Sequence, residues 1–111
     1  MNILLDENTP HKLRLISDAQ HTAVTTRFAG WAGRKNGALL TAAEAEGFEV
    51  FITGDKGIQY EQNFADRKIA ILVLSTTDWL TLKERAVDIN AALADVMPGS
   101  VTFLDIGRGR R

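Results

Sequence analysis

Asp6 and Asp55 are the residues whose type and setting point most directly to chemistry. Asp6 closes the apolar run Ile3-Leu4-Leu5, and Asp55 follows Phe51-Ile52-Thr53-Gly54. Two aspartates at the ends of neighbouring strands converge, and converging carboxylates suit hard, oxygen-seeking cations such as Mg²⁺ or Mn²⁺. A cation held this way activates water and steadies the charge of a phosphodiester in its transition state. The same residue type also suits turns and helix caps, so spacing alone leaves both roles open. Lys56 and Lys12 are the lysines closest in sequence to these acids and suited to meeting phosphate. The absence of cysteine excludes thiol catalysis, Cys-ligated metals and iron–sulfur clusters. Thr53-Gly54-Asp55-Lys56-Gly57 lacks the spacing of a phosphate-cradling loop, and His11 and His21 have no metal-ligand spacing.

The elements that must position these acids alternate along the chain. Asn2–Leu5 reads as a buried strand, followed by a helix that starts at Pro10, carries Leu13 and Ile16, and ends near Ala19. His21–Thr26 is rich in β-branched residues and reads as a second strand. Arg27–Lys35, with Gly30 and Gly33 around Trp31, reads as a loop; a helix over Ala38–Glu46 then stops at Gly47. Phe48–Thr53 is the third strand, and the fully apolar run Ile69–Leu74 is expected at the sheet centre. Asp78 or Thr81 caps a long helix from about Leu82 to Met97, whose stripe Leu82, Ala86, Ile89, Leu93, Val96 fits a helix lying on a sheet. Pro98-Gly99 ends it, and Ser100–Ile106 is the last strand. This alternation predicts an α/β domain with a mostly parallel central sheet of about five strands and helices on both faces. Ligands in such folds bind at the carboxyl ends of the strands, which is where Asp6 and Asp55 fall.

The 111-residue length fits one domain, and 45% hydrophobic with 24% charged residues is the composition of a globular protein. No apolar run reaches the ~18 residues that span a bilayer, and acid arrives too early for a signal peptide. A soluble, cytoplasmic protein with no membrane partner is expected. Arg108, Arg110 and Arg111 make residues 108–111 a basic tail. Without those three, ten basic residues face all 14 acids, so the body is acidic. That balance argues against unselective nucleic-acid binding by the bare protein.

The opening Ile3-Leu4-Leu5-Asp6-Glu7-Asn8-Thr9-Pro10 resembles the start of a family of small bacterial PIN-like proteins. The likeness continues through Gly30-Trp31-Ala32-Gly33, Asn36-Gly37-Ala38-Leu39-Leu40, Gly47 to Asp55, and Tyr60-Glu61-Gln62-Asn63-Phe64, and covers about residues 2–75 in detail. It implies a single PIN-like domain over residues 1–107, similar to the VapC-like toxin ribonucleases of type II toxin–antitoxin systems. Those enzymes gather three or four acids around Mg²⁺ or Mn²⁺ and hydrolyse RNA.

Carried over residue by residue, the resemblance makes Asp6 and Asp55 the catalytic and metal-binding acids, with Glu7 and Asn36 completing the metal shell. Thr53 supports Asp55 with its hydroxyl. By their own positions in the chain, Glu44 on the second helix, Gln62 and Asn63 after Asp55, and Lys56 are expected to support the site or meet substrate. Asn36 and Gly57 occupy places where related sequences carry acids. That thinner acid set motivates an alternative, a catalytically weak or inactive PIN-like module that binds a partner protein or RNA. The partners implied are an RNA substrate, a cognate antitoxin protein and a second copy in a homodimer.

Overall fold

A computed structural model describes residues 1–15, 21–34, 36–58, 64 and 66–106. The strands are β1 (Asn2–Leu5), β2 (Thr22–Thr25), β3 (Val50–Thr53), β4 (Ala70–Leu74) and β5 (Val101–Leu104). They form one sheet in the order β2-β1-β3-β4-β5, and every neighbouring pair is parallel. Among the described residues the α-helices are α1 (Asn36–Ala45), α2 (Trp79–Glu84) and α3 (Ala86–Asp95). The expected α/β architecture with a parallel five-stranded sheet is present.

Strand side chains alternate between faces, and here they divide the core in two. Ile3, Leu5, Val50, Ile52, Ala70, Leu72 and Leu74 pack with Leu82 of α2 and Ile89 and Leu93 of α3. Leu4, Phe51, Ile71 and Val73 pack on the opposite face with Leu39, Leu40 and Ala43 of α1. Helices thus cover both faces, which is why β3 and β4 are apolar throughout apart from the buried Thr53. Truncating Phe51, fully buried at the sheet centre, costs about 3–5 kcal/mol by cavity formation.

Three local expectations change. The segment after Pro10 is a short 3-10 helix, His11–Leu15, with Leu13 buried; Ile16 to Ala19 lie outside the described residues. The middle strand is β3, with β4 beside it. The long helix starts earlier, at Trp79 behind the Asp78 cap, and breaks at Arg85 (φ −113°, ψ 26°). Arg85 leaves the helical path with its side chain bonded to Asp88 and to the Ile106 carbonyl at 2.8 Å. Among the described residues, no helix is long and apolar enough to cross a membrane.

The strand order sets where a ligand fits. From β1 the chain adds β2 on one side, then returns past β1 to place β3, β4 and β5 on the other. Such a reversal opens a crevice beyond the carboxyl ends of the two strands that flank it, here β1 and β3.

Candidate functional site

The ladders carry Asp6 to that crevice, and Asp55 follows the end of β3 near enough for its charge to act on Asp6. Leu5 pairs with Ile52 at the ends of β1 and β3. One residue further, the Asp6 N–H donates to the Ile52 carbonyl at 2.9 Å, and the Thr26 N–H donates to the Leu5 carbonyl at 2.9 Å. Thr9 closes the turn behind Asp6 by donating its hydroxyl to the Asp6 carbonyl at 2.7 Å. The backbone under Asp6 is therefore held from three sides.

A single buried hydroxyl connects the two acids. Thr53 Oγ1 donates to Asp6 Oδ2 at 2.6 Å and accepts from the Asp55 N–H at 3.0 Å. Asp6 Oδ1 accepts from the Glu7 N–H at 2.8 Å. Asp55 Oδ1 accepts from the Gly57 N–H at 2.9 Å, so Asp55 also serves as a turn residue. Both roles left open by the sequence are thus compatible in one side chain.

Burial pushes the Asp6 carboxyl above its ordinary range, against the lowering effect of the Thr53 and Glu7 hydrogen bonds. The negative charges of Glu7 and Asp55 push it further up. Thr26 Oγ1 is buried and has no hydrogen-bond partner among the described residues, and Thr26 lines the same cleft of about 430 Å³ as Asp6, Glu7 and Thr9. Buried polar groups are normally satisfied by protein or by an ordered water.

No family model, curated protein or solved structure matches the chain. The function must be argued from the site.

The other predicted residues divide clearly. Glu7 stands at the cleft, but its Oε2 accepts from the Gly33 N–H at 2.6 Å and clamps the loop after β2. Gly33 has φ +87°, a conformation that favours glycine. Lys56 is exposed next to Asp55. Asn36 opens α1; its side chain, like Gln62, Asn63 and the 108–111 tail, lies outside the described residues.

Glu44 is placed away from the crevice, contrary to its expected supporting role. It sits near the end of α1, where its Oε2 accepts from the Lys68 and Ile69 N–H groups at 2.6 and 3.1 Å. Its Oε1 pairs with Arg67 at 3.0 Å. These partners lead into the start of β4, at the end of the strands opposite the acids. Burial raises the Glu44 carboxyl, but the Ile69, Lys68 and Arg67 hydrogen bonds prevail and hold it below its ordinary range.

Among the described residues, no three His, Asp or Glu side chains gather closely enough to hold a metal ion. Mg²⁺ is often bound through one or two carboxylates and keeps several waters, and Asp6 and Asp55 are the residues that would hold it. Two residues at the site escape sequence reasoning. Thr26 is hidden within a polar Thr-Thr-Arg stretch, and its burial comes from the strand ladder. Asn8 accepts from the Gly54 N–H at 3.1 Å through its side-chain oxygen and ties the two acid-bearing loops together.

Proposed function

We propose that this chain is a metal-dependent ribonuclease with a PIN-like domain, the toxin component of a type II toxin–antitoxin pair. The observation that carries the reading is the linkage of Asp6 and Asp55 through Thr53 at the point where the strand order reverses. Asp6 and Asp55 would hold Mg²⁺ or Mn²⁺, and the bound cation supplies charge neutralisation at the phosphodiester and activation of water. The protein's own part is positional. Thr53 fixes the Asp6 carboxylate, Glu7 anchors the loop that walls the cleft, and Lys56 stands exposed beside Asp55 to meet phosphate. Purified protein should cut RNA when Mg²⁺ or Mn²⁺ is added, and Asp6→Ala or Asp55→Ala should lose both cutting and growth arrest on expression. Undiminished cutting by both variants removes these residues from the mechanism.

A second reading is a catalytically weak or inactive module that binds RNA or a partner protein. It is favoured by the absence of a third close acid among the described residues and by asparagine and glycine at positions 36 and 57. Protein that binds RNA but leaves it intact at saturating Mn²⁺ would select this reading.

A further inference from the structure

The acid cleft does not end at the acids. His11, Thr25 and Arg27 line it and also line a neighbouring groove of about 590 Å³, so the two adjoin. The groove runs beside β2, an edge strand of the sheet, and its walls include Arg14 and Phe28. Phe28 is 84% exposed. Thr25 closes its turn: the Phe28 N–H donates to Thr25 Oγ1 at 3.0 Å and the Ala29 N–H to the Thr25 carbonyl at 3.0 Å. An exposed aromatic ring thus stands on a hydrogen-bonded turn, in a groove also lined by Arg14 and Arg27 and adjoining the cleft of Asp6 and Glu7.

Charge distribution points the same way. Between Asn8 and Ala43 the chain carries five lysines and arginines but a single acid, Asp18, inside a protein of net charge −1. The segment that builds the groove is thus basic while the remainder is acidic. Guanidinium groups recognise phosphate, and an exposed aromatic ring stacks on an unpaired base.

We propose that this groove seats a single-stranded stretch of RNA, with phosphates at Arg14 and Arg27, a base stacked on Phe28, and the strand leading to Asp6 and Asp55. The proposal rests on the ribonuclease reading for its substrate, and it adds the surface that orients it. A double helix, whose bases are stacked inward, offers Phe28 no free face.

The test uses the full chain carrying Asp55→Asn, in EDTA, with a fluorescein-labelled single-stranded RNA 12-mer read by anisotropy. Adding Phe28→Ala or Arg27→Ala should weaken binding roughly tenfold each, and Phe28→Trp should restore it. Both side chains are exposed, so neither change disturbs the core. A blunt RNA duplex should bind more weakly than the single strand. Affinity unchanged by both substitutions, or no binding of the 12-mer, overturns the groove. So does a wild-type dimer that Phe28→Glu splits without altering RNA affinity, since the surface would then join two copies of the chain. RNA held by this groove but never cut by wild type with Mn²⁺ defeats the ribonuclease reading and leaves the groove standing. Cutting by wild type with groove variants that bind normally does the reverse.

Discussion

Thr53 donates its buried hydroxyl to Asp6 Oδ2 at 2.6 Å, joining the end of β3 to the residue that follows β1. Because the same oxygen accepts from the Asp55 N–H, Thr53 sets the relation between two acids 49 positions apart in sequence. Thr53→Val keeps the shape but removes both bonds. It should destabilise the protein by about 1–3 kcal/mol in urea unfolding, the cost of leaving buried polar groups unsatisfied. Thr53→Ser should recover most of that loss.

Asp6 gives a pH signature of a definite sign. Its carboxyl is raised from 3.8 by burial first and by neighbouring charge, so the folded state keeps the proton to higher pH than the unfolded state. Stability therefore falls as pH rises from 3.8 through the raised value. Above that window the ionised carboxylate is a burden on the fold. Asp6→Asn should remove this component and melt higher than wild type at pH 7 in EDTA. The Asn oxygen can accept from Glu7, and its amide can donate to Thr53. Urea titrations of both proteins from pH 3.5 to 7 check the sign.

Glu44 should behave in the opposite direction. Its lowered carboxyl contributes stability that is present above 4.5 and lost as pH falls through the lowered value. Glu44→Gln should cost about 1–2 kcal/mol at pH 7 by weakening the bonds from Arg67, Lys68 and Ile69. It should leave metal-dependent cutting of RNA unchanged, because Glu44 lies at the opposite end of the strands from Asp6 and Asp55.

Glu44 shows where sequence reasoning stops. Helical spacing placed it on α1, yet the end of the sheet it faces depends on how α1 runs against the strands. The Arg85 break was hidden for a similar reason, since its carbonyl partner, Ile106, is distant in sequence. What was legible was local. The alternating core of β1, β3 and β4 follows from apolar runs, and Asp6 and Asp55 were visible because each follows such a run. The Arg14–Arg27–Phe28 groove was not, because only the pairing of β1 with β2 brings residues from either side of β2 together.

Gly54 tests how tightly the acid loop is packed. A Cβ there would overlap Thr77 Cγ2, a stiff β-branched neighbour. Gly54→Ala should cost about 1–3 kcal/mol, while adding Thr77→Ser, which deletes that methyl group, should return much of it. A double-mutant cycle in urea measures this coupling.

The central claim is that Asp6 and Asp55 form one cation site. Calorimetric titration of Mn²⁺ into the metal-free protein at pH 7 addresses it directly. Saturable binding by wild type that disappears in Asp55→Asn, with both proteins equally folded, is the predicted result. Equal Mn²⁺ binding by the two proteins, or none by wild type even with RNA present, would contradict it.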